Sequence, residues 1–245
     1  MTTSPPLPEP HATALREAVA YLHERYQPIG ILVSGTIVRG SAQRSSDLDI
    51  VAIHEQDWRQ RSQRFFHGVP AEMFVNPAKR IRQAMRDEAT AGRPVAAHML
   101  ATGVAIHDPT GVIADLQEAA RANLEAGPRV SAATMNFRRY GIATAFEDAV
   151  DISEIDVDRA QAMVTEAIVE AVKWHFLNLG LWMPRPKALL SDLDALDPEL
   201  GRLARAALRA GDLNERIAIA EQVMERTVGA TGFFEWDSEP EPTTS

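Results

Sequence analysis

Asp47 and Asp49 stand two residues apart in Ser46-Asp47-Leu48-Asp49-Ile50. Leu48, Ile50 and Val51 are apolar, so Asp47–Ile53 reads as a strand. Strand residues two apart share a face. The two carboxylates then project side by side while Leu48 and Ile50 enter the core. Paired carboxylates repel unless a proton or cation lies between them. A hard divalent cation with oxygen ligands resolves the repulsion, and Mg²⁺ suits that donor set. Upstream, Gly35-Thr36 follows the apolar run Ile29–Val33 and opens a turn into a short helix, Gly35–Gly40. Backbone N–H groups and a hydroxyl at such a place can hold phosphate oxygens, with Arg39 or Gly40 nearby. Metal-holding carboxylates beside a phosphate cradle point to phosphoryl or nucleotidyl transfer.

Such a metal site wants a third acid, and Glu72 is the candidate. It sits in Ala71-Glu72-Met73-Phe74-Val75, a polar residue in an otherwise apolar strand. On a strand beside Asp47 and Asp49 it could ligate the metal or serve as base toward an acceptor hydroxyl. An Asp-x-Asp pair alone is common at strand ends and carries little. Its information lies in the combination with Gly35-Thr36 and Gly40 at this spacing.

The elements that must position these residues follow from periodicity and breakers. His11–Tyr26 is an amphipathic helix with Leu15, Val19 and Leu22 on one face, ended by Pro28. Ile29–Val33, Asp47–Ile53, Ala71–Val75 and Val104–Ile106 read as strands, and Ala78–Ala91 and Val95–Leu100 as helices. From Val112 onward the pattern is helical: Val112–Ala126, Val130–Val150, Asp158–Leu179, Lys187–Leu193, Pro198–Ala210 and Asn214–Val228. Gly127-Pro128, Gly180, Pro184-Arg185-Pro186 and Gly211 punctuate it. The expected fold class is α+β, a short mixed sheet flanked by helices followed by an all-helical bundle. The expected division is a disordered N-terminus over 1–10, a first domain over 11–127, a helical domain over 128–234 and a disordered acidic tail over 235–245.

Val33-Ser34-Gly35-Thr36-Ile37-Val38-Arg39-Gly40 followed by Ser46-Asp47-Leu48-Asp49-Ile50 resembles the signature of the DNA polymerase β-type nucleotidyltransferase superfamily. That signature is a hydrophobic residue, Gly-Ser, three residues, Gly, a short spacer and Asp-x-Asp. The Arg-Gly and Ser-Asp-Leu-Asp pieces are similar to the minimal nucleotidyltransferase and aminoglycoside-adenylyltransferase branches. Thr36 stands where Ser is usual and keeps the hydroxyl. The motif covers about 15 residues, and the strand–helix–strand context with Glu72 extends the likeness over roughly Ile29–Asp108. The resemblance implies that Gly35, Thr36, Arg39, Gly40 and Ser46 hold a nucleoside triphosphate. It implies Asp47 and Asp49 as ligands of one or two Mg²⁺ ions, with Glu72 the third acid. The implied reaction moves a nucleoside monophosphate from ATP or another NTP to a hydroxyl, releasing pyrophosphate.

The helical half is expected to supply the acceptor pocket, with the active site in the cleft between the halves. Tyr140, Thr144, Glu147, Asp148 and Asp151 recur at helical spacing and share one face. That face could line an acidic cleft for a polyamine-like or polyhydroxyl acceptor, such as an aminoglycoside-like antibiotic. It could equally be a solvated charged face. Lys187, in the Pro-rigid turn after Trp182, could reach a triphosphate, as could Arg185. Asp158–Leu179 reads as core or as the seam of a homodimer. Nucleotidylation of a protein or an RNA, and a catalytically silent nucleotide-binding module, are the competing functions.

Composition bounds these readings. The chain has 245 residues, 45% apolar and 24% charged, enough for a sizeable core. It contains no cysteine, which excludes disulfides, thiolate metal sites and thiol nucleophiles. The net charge of −9 argues against general nucleic-acid binding by bulk charge. Yet Arg39–Arg93 carries ten basic and seven acidic residues, a balance of +3 inside an acidic chain. No run approaches the roughly 20 apolar residues of a membrane span, and the N-terminus lacks the apolar core of a signal peptide. A cytoplasmic protein is expected. Alanine richness and only three lysines suit a high-GC bacterial genome.

Overall fold

The computed structural model describes residues 7–38, 40, 46–238 and 240. Arg39 and most of the linker up to Ser46 therefore lie outside the described residues, as do Met1–Pro6 and Glu239, Glu241 and Pro242 of the acidic tail. The chain divides into two compact units. One holds the residues up to Ala89 together with Pro94–Gly127. The other holds Thr90–Arg93 together with the chain from Pro128 onward.

The first unit runs α1 (His11–Tyr26), β1 (Gly30–Ser34), β2 (Leu48–Ile53), β3 (Gln60–Phe66), β4 (Val69–Asn76), α2 (Ala78–Ala91), α3 (Val95–Thr102), β5 (Val104–His107) and α4 (Val112–Ala126). The five strands form one mixed sheet in the order β3-β4-β2-β1-β5. β2 and β4 run parallel, and the other neighbours are antiparallel. Strand alternation sorts the side chains. Ile31, Val33, Leu48, Ile50, Ala71 and Met73 face α1 and pack with Leu15 and Leu22. Leu32, Val51 and Ile53 face the other way and pack with Ile81 and Met85 of α2, Leu100 of α3 and Leu116 of α4. Burying such a Leu or Ile stabilises by about 1.5–3 kcal/mol. Asp49 and Glu72 belong by parity to the α2–α4 face.

Two differences from the sequence expectation bear on the site. β3 was not anticipated. Its sequence, Gln-Arg-Ser-Gln-Arg-Phe-Phe, is mostly exposed and shows no alternation of apolar and polar residues. It is an edge strand joined to β4 by His67-Gly68, both at positive φ (46° and 76°), the geometry of a two-residue hairpin turn. Its arginines keep the sheet edge polar. The second difference is at Gly35–Gly40. The expected short helix is replaced, among the described residues, by a turn in which the Gly40 N–H donates to the Ile37 carbonyl at 3.2 Å.

The second unit contains α5 (Ala132–Asp151), α6 (Val157–Asn178), α7 (Leu189–Leu196), α8 (Pro198–Arg209) and α9 (Leu213–Thr227). Lys187 lies in a three-residue 3₁₀ turn, Pro186–Ala188, that precedes α7 rather than in the helix itself. Ser131, Asp156, Asp197 and Asp212 cap four of the helices through their side chains. Each such cap contributes about 1 kcal/mol. The core joins Phe146, Val164, Ile168, Leu193, Leu200 and Met224, all fully buried or nearly so. Thr90–Arg93 is built into this unit. The Met183 N–H donates to the Gly92 carbonyl at 3.0 Å, and Arg138 donates to the Ala91 carbonyl at 3.1 Å. Gly92 has φ +81° and lies against Leu177, where a Cβ would clash.

Candidate active site

One rung of the sheet carries the chemistry. The register sets Ser34 opposite Asp49, Asp49 opposite Glu72, and Glu72 opposite Gln63. Four strands thus deliver four polar side chains to one line across the sheet. Asp47 lies just before β2 and not on it, yet it stays with the group. Carboxylate oxygens of Asp47, Asp49 and Glu72 all lie within 4.8 Å of one another. Asp47 is exposed, while Asp49 and Glu72 are half-buried.

Gly35 closes one side of the cluster. Its φ of +100° is a conformation that side chains rarely adopt, and a Cβ there would come within 3.0 Å of Asp49 Oδ2. Both facts demand glycine. Next to it the hydroxyls of Thr36 and Ser46 hydrogen-bond at 2.9 Å, tying together the two ends of the segment between them. Gly40 is exposed at φ +73°. Gly35, Thr36 and Ser46 therefore meet at the acid cluster, whereas Arg39 lies outside the described residues. Lys187 is an exposed residue of the other unit.

Three residues at this rung were not singled out from sequence. Ser34 is fully buried, and its hydroxyl has no hydrogen-bond partner among the described residues. Arg61 of β3 reaches diagonally and donates through Nε to Glu72 Oε1, with its guanidinium carbon 5.2 Å from the Phe74 ring centroid. The hydrogen bond and charge of Glu72, and the charge of Asp49, push the Arg61 guanidinium above its ordinary range. Gln63 lies 3.5 Å from the same Glu72 oxygen. Ser34 stood in the quoted motif without a role. Arg61 and Gln63 were hidden because their strand was hidden.

The donor set fits a hard divalent cation. Three carboxylates converge, a buried hydroxyl on the same rung has no partner among the described residues, and a guanidinium already compensates part of their charge.

The second unit holds a cavity of about 470 Å³. Its charged lining is Arg93, Arg138, Glu166, Glu170 and Lys173, with Lys173 and Glu170 paired at 2.5 Å. α5 presents Arg138, Ile142 and Ala145 to it. Tyr140, Glu147 and Asp148 lie elsewhere on α5. The Tyr140 ring packs near Phe137 and Trp236, with centroids 6.3 and 5.9 Å away. Glu147 lies against Gly232, and Asp148 is exposed. The structure does not gather these three into the cavity.

No family model matches the sequence, and no curated protein matches it. Among solved structures, the chain is similar to a nucleotidyltransferase-like protein from Exiguobacterium sibiricum 255-15. The TM-score is 0.54 at 15% identity, over 88% of this chain and 73% of that one. The chain thus has the nucleotidyltransferase fold with a helical C-terminal part. Among the described residues, no helix is long and apolar enough to cross a membrane.

Proposed function

We propose that the protein is a Mg²⁺-dependent nucleotidyltransferase, moving a nucleoside monophosphate from ATP or another NTP to a hydroxyl acceptor. The observation that carries this is the convergence of Asp47, Asp49 and Glu72 beside the Gly35-Thr36 turn. Asp47 and Asp49 would hold the cation, with Glu72 as third ligand. When bound, Mg²⁺ supplies charge neutralisation at the α-phosphate and on the departing pyrophosphate. The Gly35 backbone, bare of a Cβ, lets a phosphate approach, and Thr36 offers a hydroxyl held in place by Ser46. Glu72 is also the group able to accept the acceptor's proton once Arg61 has moved off it. Arg61 is then free to meet phosphate oxygens, the geometry a guanidinium favours.

The acceptor proposed is a small hydroxyl compound. The helical unit's own cavity, lined by three cations and two acids, suits a neutral or zwitterionic small molecule better than the polycation an acidic cleft would take. The convergence of all three acids supports an active enzyme over a catalytically silent module.

Calorimetry of ATP with and without Mg²⁺, on wild type and on Asp47→Ala/Asp49→Ala, tests the site. Metal-dependent binding that the double variant loses, while keeping its melting temperature, is the expected result. Pyrophosphate release with candidate acceptors should fall about 10²–10³-fold in Asp49→Asn. Absence of Mg²⁺-dependent NTP binding in the wild type, with and without acceptors, would overturn the proposal.

A further inference from the structure

The parallel strands β2 and β4 both end at a second cavity of the first unit, about 520 Å³ in volume. It lies between the residues after β2 and the start of α2. From Glu72 to Pro77 is five residues, about 16 Å along the strand at 3.3 Å per residue, so this cavity is separate from the acid cluster. Its charged lining is Asp57, Arg59, Lys79, Arg80 and Arg86, a formal balance of +3. Lys79 is neutralised by Asp57 at 2.7 Å, and Arg80 stands 3.9 Å from Asp87. Among the described residues no carboxylate pairs with Arg59 or Arg86. The Arg86 guanidinium donates to the neutral Gln83 side chain. Here the basic segment noted in the sequence becomes a place, with two guanidinium groups lacking an anion.

Trp58 completes the lining. It is 43% exposed although large and apolar. Its ring stacks on His54 at 4.0 Å, and Tyr26 lies 6.0 Å away at a tilt. His54 is buried and faces the core side of that stack. An indole held flat by a buried imidazole, with arginines around it, matches a planar ring bearing an anionic group. Inorganic anions would use the arginines and leave the indole idle. A volume of this size accommodates a nucleotide.

We propose that this cavity is a second nucleotide site. It takes a nucleoside phosphate, with the phosphate on Arg59, Arg80 and Arg86 and the base against Trp58. The site does not depend on nucleotidyl transfer at the acid cluster. Without a metal, three carboxylates repel phosphate, so binding in a chelator reports the second site alone.

Binding of ADP and of a short single-stranded oligoadenylate would be measured by calorimetry in EDTA. The expected result is saturable binding that persists in Asp47→Asn/Asp49→Asn. Arg59→Ala/Arg80→Ala should weaken it on the order of tenfold or more, each lost charge-assisted hydrogen bond contributing. Trp58→Leu should weaken ADP but leave pyrophosphate unchanged. Both arginines and Trp58 lie on the surface, and unchanged melting temperatures would confirm intact folds. Equal affinity per site for ADP and the oligomer identifies a free nucleotide as the source, and much tighter oligomer binding identifies a strand end. Either supports the site. No binding in EDTA, binding indifferent to the arginine variant, loss in the Asp47/Asp49 variant, or pyrophosphate binding equal to ADP would overturn it.

Discussion

Arg61 and a divalent cation compete for Glu72, and this competition has a measurable size. The guanidinium of Arg61 rests on Glu72 Oε1, the oxygen of an acid grouped with Asp47 and Asp49 within 4.8 Å. A cation ligated by all three acids would displace it. At about 4 Å and an effective dielectric of 20, two unit charges interact by about 4 kcal/mol. That figure is too large here. The Arg61 side chain is 66% exposed and the Glu72 side chain 14%, so solvent screens the pair, and about 1 kcal/mol is the appropriate scale. Arg61→Ala removes the competitor. The variant should bind Mg²⁺ about fivefold more tightly, the equivalent of about 1 kcal/mol. In EDTA it should also melt lower, because three carboxylates are left with less compensation, and Mg²⁺ should then raise its melting temperature more than in wild type. Calorimetry and thermal unfolding in EDTA and in excess Mg²⁺ read both quantities. Weaker Mg²⁺ binding in Arg61→Ala would refute the reasoning, showing instead that Arg61 holds Glu72 in a ligating position.

Further outcomes follow from the same structure. Gly35→Ala places a Cβ 3.0 Å from Asp49 Oδ2 on a residue with φ +100°. It should cost about 1–3 kcal/mol of stability and lower Mg²⁺-dependent NTP binding, checked by denaturant unfolding and calorimetry. Phe146→Ala empties a site that is 1% exposed and should destabilise by about 3–5 kcal/mol in the same unfolding assay. His23, His54 and His175 all have pKa values lowered chiefly by burial, with the charge of His107 adding to the effect on His23. A lowered folded-state pKa means the unfolded chain binds protons first. The stabilisation is therefore present above the unfolded-state pKa of about 6.5 and is lost as pH falls through the folded-state values. Melting temperature should hold near pH 7 and decline on acidification below about 6.5, and a rise there would contradict the assignment.

Much of the first unit was legible because its residues punish alternatives. Leu48, Ile50 and Ala52 must share a face, and a slip of one residue would put Asp49 into the α1 core. Pro28, Gly92-Arg93-Pro94 and Gly127-Pro128 stop helices for local steric reasons that need no tertiary knowledge. β3 was illegible for the opposite reason. An edge strand wet along most of its length can place Arg61 and Gln63 outward without penalty, so no period betrays it. The helical unit shows a different limit. Tyr140, Glu147 and Asp148 do share a face of α5, but spacing gives a face no direction. Trp174, whose indole N–H donates to the Met135 carbonyl at 2.9 Å, fixes α5 against α6, and Arg138 and Ile142 turn to the cavity instead.

That hidden strand changes what the acid cluster means. Asp47, Asp49 and Glu72 alone would be an unbalanced charge that only a metal could settle. With β3 in place the sheet carries its own counter-cation, delivered from the neighbouring strand by hairpin register. The cluster is then stable enough to persist when no metal is bound, and opens only when something more cationic than one guanidinium arrives. A divalent ion meets that condition better than a monovalent one because its attraction to the three carboxylates is about twice as large, while the cost of displacing Arg61 is the same for both. Na⁺ affinity should accordingly tighten in Arg61→Ala by about the same factor as Mg²⁺ affinity, and a variant that gains in Mg²⁺ binding alone would show that the guanidinium does more than compete for Glu72.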